Sequence, residues 1–202
     1  MRSRDECHNY WLHPETYNEP KRYLIGEGRS TFLIDLIRKY FIDWDTNILE
    51  IGCNSGRNLN RLYEAGFLCL NGIEINPDAF ELLIKTFPEM AGCAEIWNCP
   101  VEYIISDFDT DRFDLTFTLA VLEHIHPDSE FIFDHMARIS KCIITVEDEV
   151  NESTRHCPRN YRKVFESRGM RQVEERSCEN VEGLGSDFVA RVLTHNREND
   201  DK

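Results

Sequence analysis

Two short segments of this sequence combine backbone freedom with a carboxylate at spacings that suit a nucleoside. The first is Glu50-Ile51-Gly52-Cys53-Asn54-Ser55-Gly56. Glycines at 52 and 56 permit positive φ and let the backbone approach a ligand closely. The spacing is G-x-x-x-G. Asn54 and Arg57 stand where a pyrophosphate-binding G-x-G-x-x-G would need glycines, and no Gly-Lys-Ser/Thr follows to make a phosphate loop. The second segment, Gly72-Ile73-Glu74-Ile75-Asn76, comes about twenty residues later. A carboxylate at the end of a second strand is placed to accept both hydroxyls of an adenosine ribose.

Both segments need strands to carry them, and the apolar periodicity supplies these. Residues 30–40 have helical spacing through Phe32-Leu33, Leu36-Ile37 and Tyr40. Residues 47–51 read as a buried strand, followed by the glycine turn and a helix that ends at Gly66. Further strands are expected at 68–75, 94–97, 113–119 and 142–146. Helices are expected from Pro77 to about Phe87, at 128–140 and at 159–168, with a helical turn from Pro100 to about Ser106. Residues 171–176 and 187–194 form two last strands with no helix between them. Strands alternating with helices predict an α/β fold with a doubly wound, mostly parallel seven-stranded sheet and an antiparallel hairpin at its edge. Ligands in such sheets sit at the carboxyl ends of the strands, near the reversal of strand order.

The chain has 202 residues, 41% of them hydrophobic and 11% aromatic, as suits one globular domain with a sizeable core. Residues 1–27 read as an N-terminal arm or lid, 28–196 as the domain and 197–202 as a polar tail. No apolar run approaches the roughly 20 residues that span a bilayer, and the N-terminus lacks the apolar centre of a secretion signal. A cytoplasmic protein is the resulting expectation. The eight cysteines contain no CxxC pair and are expected as free thiols. Cys69 and Cys142 fall inside strand-like runs, as small core residues. A formal net charge of −14 disfavours nucleic acid and anionic membranes as partners. Oligomeric state is not fixed by any of these features.

ILEIGCNSGRNL, GIEINPDA and FDLTFTLAVLEHI, in that order, resemble the class I S-adenosylmethionine-dependent methyltransferases of the Leu-Glu-His type. The likeness extends over about residues 30–194 and implies a Rossmann-like sheet with S-adenosylmethionine as cofactor. It implies that Glu50, Gly52, Cys53, Asn54 and Gly56 form the loop under the methionine part. Glu74 would hold the ribose, Ile75 would pack on the adenine, and Asn98 to Val101 would edge it. Cys99-Pro100 departs from the acidic residue often found at that edge. Leu119 and Ala120 would line the methionine end, and Arg29 or Arg57 would pair with its carboxylate.

Methyl transfer from a sulfonium is an in-line displacement, so alignment and a base are what a protein must supply. His124, in Val121-Leu122-Glu123-His124-Ile125-His126-Pro127-Asp128, titrates near neutrality and is the candidate base. The segment Thr154-Arg155-His156-Cys157-Pro158-Arg159-Asn160-Tyr161 would cross the substrate cleft. It adds His156 as a second catalytic candidate, and Arg159 and Tyr161 as acceptor-binding residues. Small-RNA enzymes of this class bind a metal through Glu-x-x-Glu-His. Ala120 replaces the first Glu here, so no metal is expected. The sum is methyl transfer to oxygen, with nitrogen second, on a small polar or saccharide-type acceptor. A catalytically silent methyltransferase-like subunit that needs a partner protein is the alternative.

Overall fold

The computed structural model describes residues 2–195; the expected polar tail at 197–202 lies outside them. Seven strands form one sheet in the order β3-β2-β1-β4-β5-β7-β6. They are β1 (Ile48–Ile51), β2 (Leu70–Glu74), β3 (Glu95–Asn98), β4 (Phe113–Leu119), β5 (Ser140–Asp148), β6 (Met170–Ser177) and β7 (Phe188–His195). The first five are parallel, and β7 inserts antiparallel between β5 and β6. The doubly wound sheet with its antiparallel edge is therefore present.

The chain runs outward from β1 to β3, then returns to start β4 on the other side of β1. That reversal opens a crevice at the carboxyl ends of β1 and β4. Leu33, Ile37, Leu59, Leu62 and Leu83 fill one face of the sheet. They come from helices α2 (Glu27–Tyr40), α3 (Arg57–Glu64) and α4 (Pro77–Thr86). The other face takes Phe133, Met136 and Phe165, from α7 (Phe131–Ile139) and α8 (Tyr161–Glu166), and Val101 of the short α6 (Val101–Ile104). The central strands are buried on both faces, and their buried positions include polar side chains such as Thr116 and Thr118 of β4 beside the apolar ones.

Several elements differ from the sequence expectation. Residues 4–12 form a helix, α1 (Arg4–Leu12), where only weak periodicity is visible. Its start is a capping box in which Ser3 and Glu6 satisfy each other's backbone amides. Pro88 starts a separate short helix, α5 (Pro88–Cys93), after α4 ends. The helix expected over 128–140 is split: Pro127–Ser129 is a 3-10 turn, and Ser140 already belongs to β5. The one expected over 159–168 shortens to α8, because the Asn160 side chain caps it by accepting from Lys163 N–H. Cys69 precedes β2 and is exposed, so it is not a core residue, whereas Cys142 is buried.

The edge strands are tied to the interior by Arg191 of β7, whose side chain is 5% exposed. Its Nε and Nη2 donate to the two oxygens of Glu149 at 2.7 Å each, and Nη1 donates to Gln172 at 2.6 Å. Glu149 in turn accepts from Tyr161 N–H at the start of α8. Arg191→Met leaves Glu149 largely buried without its cation, and should lower stability by about 3 kcal/mol. Urea unfolding would show this as a lower midpoint at constant slope; an unmoved midpoint would remove the pair from the fold's support.

Candidate active site

The turn after β1 is built by left-handed backbone. Gly52 has φ +74°, Asn54 +46° and Gly56 +78°. Gly52 N–H donates to Ile73 O at 2.8 Å, binding the turn to β2. A Cβ on Gly52 would stand 2.6 Å from a Val121 methyl, so the glycine is required by the β4 loop opposite as well as by its φ. Gly56 serves packing: its Cβ would meet Leu83 of α4 at 2.5 Å.

Two carboxylates are buried beside this turn. Glu74 accepts from Asn54 N–H on Oε2 and from Asn76 N–H on Oε1, both at 2.7 Å. Burial nevertheless pushes its carboxyl up to about 7. Glu50 accepts from Asn58 Nδ2 at 2.8 Å on Oε1, while Oε2 is buried with no partner. Burial lifts this group to about 8. The arginines divide their work. Arg57 donates to the carbonyls of Tyr23 and Ile25 and to Ser30 Oγ, each at 2.7 Å, and so pins the arm. Arg29 Nε is buried with no hydrogen-bond partner.

These groups line one cleft of about 1100 Å³, measured to its open mouth. Glu50, Gly52, Cys53, Asn54, Glu74, Ile75, Val101, Leu119, Ala120 and His124 all line it, as does Arg29. Gly56 and Asn98 do not. Asn98 Nδ2 instead donates to Glu74 O at 2.8 Å, locking the ends of β2 and β3 together.

Beyond β4, Ala120 is left-handed (φ +56°) and turns the chain across the cleft. Glu147 of β5 holds this turn, its Oε2 accepting from Val121 N–H and Leu122 N–H at 2.9 Å each. Burial and the neighbouring Glu147 raise the Glu123 carboxyl, which keeps its proton beside the amide-bonded Glu147. His124 packs between Trp11 (4.6 Å between ring centroids) and His156 (4.7 Å). Its Nδ1 lies 3.5 Å from Arg155 O and its Nε2 4.0 Å from Glu123 Oε1. Burial first, then His156, pushes His124 down to about 3, so the ring is neutral.

His156, Arg159 and Tyr161 are not brought to the cleft. His156 lies behind His124. Arg159 pairs with Glu130 at 3.2 Å and donates to Cys157 O at 2.9 Å, stiffening the loop it belongs to. Tyr161 is fully buried against Phe133, because it opens α8 on the inward face. Among the described residues no cluster of three or more His, Cys, Asp or Glu is arranged to hold a metal. The sequence reading missed Cys7, His8, Tyr23 and Glu102 as cleft residues. The capping box at Ser3 was the signal that a helix would carry the first two.

Comparison with known proteins bears on this arrangement. A family model described as a methyltransferase domain matches residues 48–142, from β1 into β5. Residues 48–142 are thus similar to methyltransferase domains. A tRNA U34 carboxymethyltransferase from Sulfurimonas denitrificans is 33% identical over 105 residues, covering 50% of this chain and 34% of that protein. A ubiquinone biosynthesis O-methyltransferase from Rickettsia bellii is 24% identical over 151 residues, 72% of this chain and 59% of that one. The chain thus spans about a third to three fifths of the curated relatives it matches. In fold it is similar to magnesium protoporphyrin IX methyltransferase from Synechocystis, solved with bound S-adenosylhomocysteine. There the TM-score is 0.73 at 13% identity, covering 96% of this chain and 100% of that one.

The cleft carries a pH signature. Glu50 and Glu74 titrate near 8 and 7 when folded, against an ordinary 4.5. Between those values the folded chain holds protons that the unfolded chain has lost, so stability falls as pH rises. His124 acts in the opposite sense only below its ordinary 6.5. The melting temperature of the ligand-free protein should therefore fall from about pH 6.5 to 8, and Glu50→Gln should flatten the fall. A constant or rising melting temperature across that window would contradict the buried-carboxylate account.

Proposed function

We propose that the domain binds S-adenosylmethionine in this cleft and directs its methyl group to an oxygen, or secondly a nitrogen, of a small polar or saccharide-type acceptor. The observation that carries the reading is Glu74. Its carboxylate is buried at the end of β2, held by two backbone amides, and faces the cleft where a ribose diol can donate to both oxygens. Two orphaned groups complete the fit. Glu50 Oε2 awaits a donor such as the amino-acid ammonium, and Arg29 Nε awaits an acceptor such as the carboxylate. Gly52 gives the methionine part backbone rather than side chain to lie against.

When bound, the cofactor supplies a methyl group already activated on a sulfonium. The protein's part is alignment. Ala120, bonded to Val146 O, and Val121, held by Glu147, would set the wall between sulfonium and acceptor. The α1 helix lays Trp11 along the acceptor side, and Asn76 Nδ2 holds it there by donating to Trp11 O at 2.8 Å. His124 is the proposed proton acceptor and His156 its support, with Arg159 and Tyr161 acting through the loop they brace. A formal net charge of −14 argues against an acceptor as large and anionic as tRNA. A second reading, a non-catalytic subunit completed by a partner protein, is favoured by one observation. The neutral His124 turns both ring nitrogens toward protein groups.

The deciding experiment is calorimetric titration with S-adenosylhomocysteine. Saturable binding in the micromolar range is expected, weakened by about 1–3 kcal/mol in Glu74→Ala, where the ribose hydroxyls lose their acceptors. A folded sample that binds nothing would overturn the cofactor reading. Given binding, an acceptor screen separates enzyme from subunit. His124→Ala should then keep cofactor affinity and lower turnover at least tenfold, and unchanged turnover would end its role as base.

A further inference from the structure

We propose that the face at the amino ends of the strands, opposite the cleft, is the surface through which two copies of this chain associate. The segment that joins α2 to β1 builds one part of it. Ile42 is 85% exposed and Trp44 63%. Trp44 O accepts from Leu68 N–H at 2.9 Å, which sets the exposed Leu68 beside them. Scattered singly, such side chains are ordinary on a surface. Gathered at one end of a sheet, they mark a contact. Trp is also among the residue types that carry most of the energy of an interface.

Next to these residues lies an open hollow of about 1310 Å³, measured to its mouth. Phe41, Asp43 and Asp45 line it, so the odd positions of the segment face the hollow while Ile42 and Trp44 stand outside it. Lys141 of β5 and Arg171 of β6 line it from the sheet. A twofold contact needs a surface that carries both knob and hole, because each copy meets the same patch of the other. Charge repeats that pattern. Lys141 is paired with Asp114 at 2.8 Å. Among the described residues, however, Asp43, Asp45 and Arg171 form no ion pair. In a twofold contact the acids of each copy can meet the arginine of the other, so a second copy supplies exactly the charges this face leaves open. Each chain carries −14 in all. At physiological ionic strength, charges more than about 8 Å apart are largely screened, so the close pairs and the apolar burial decide association. The clefts, at the other ends of the strands, stay open in such a dimer.

Sedimentation velocity of the full chain tests this. At roughly 100 μM, where a dimer of micromolar affinity is filled, wild-type protein should sediment as two chains. Trp44→Glu should raise the dimer dissociation constant about a hundredfold, as the loss of an interface aromatic does. Circular dichroism should show its fold unaltered, since that side chain is largely exposed. Arg171→Asp should weaken the dimer roughly tenfold, and adding Asp43→Arg and Asp45→Arg should restore it to within about threefold, because exchanged charges pair again. A wild-type monomer at that concentration overturns the proposal and leaves the face to a partner of another kind. A dimer that Trp44→Glu leaves intact is built on another surface and overturns it too, as does a charge-exchanged triple variant that recovers nothing. The cofactor reading stands apart from all of these outcomes.

Discussion

A carboxylate buried where parallel strands end must be supplied with donors, and much of the cleft is organised around supplying them to Glu74. The two nearest amides come from different segments. Asn54 N–H reaches it only because residues 52, 54 and 56 take left-handed backbone. Asn76 N–H reaches it because the following residue is Pro77, which starts α4 and leaves Asn76 as the cap. Asn76 then uses its side chain twice, accepting from Ala79 N–H and donating to Trp11 O. One carboxylate thereby fixes the glycine turn, the start of a helix and the docking of the N-terminal arm. Glu50, one strand over, is satisfied on one oxygen by an asparagine and left open on the other. The cleft thus holds acceptor capacity in reserve for a ligand.

The opposite wall solves a related problem differently. Glu123 and Glu147 are both buried, and two adjacent charges there would be prohibitive. The amides of Val121 and Leu122 favour charge on Glu147, and Glu123 keeps a proton. This arrangement stiffens the turn that faces Gly52 across 2.6 Å of would-be Cβ contact. It also places His124 in a dry setting between two rings, where its neutral form prevails. Rigid turns on both sides leave α1 as the element whose position decides access. That helix is held by polar contacts at His8 and Asn76 and by the Arg155 guanidinium 3.6 Å over the Tyr10 ring.

The parts of this site that are legible in the sequence are those whose chemistry is local. Glycines at 52 and 56, the carboxylate ending β2 and the apolar run of β4 announce themselves through residue type and period. Gly56 shows the limit even there, because its reason lies in Leu83, a residue far along the chain. The groups that sequence spacing misplaced depend on tertiary direction. Tyr161 and Arg159 sit in a polar stretch that reads as a cleft loop. Yet a helix start can present its first residue inward, and Tyr161 does. Cys69 lies in an apolar run but just before the strand, where alternation has not begun. Conversely, α1 has little amphipathic signal because it is covered on one side by a polar cleft rim instead of a core. Only its capping box marks it.

A ligand-free cleft with two raised carboxylates and an unpaired arginine nitrogen is less stable than an apolar one would be. Domains are stable by only several kcal/mol in total, so such groups persist only where a bound molecule or a function compensates them. The distribution of strain supports the functional side of that alternative. Among the described residues, the three left-handed ones that are not glycine fall in turns, and two of them, Asn54 and Ala120, flank the cleft from opposite walls. The sheet's far edge, by contrast, satisfies its buried Arg191 with three partner residues and keeps no unpaired nitrogen there. Two of the buried polar atoms without a partner, Glu50 Oε2 and Arg29 Nε, belong to residues that line the cleft, where a ligand that brings an ammonium and a carboxylate would satisfy both.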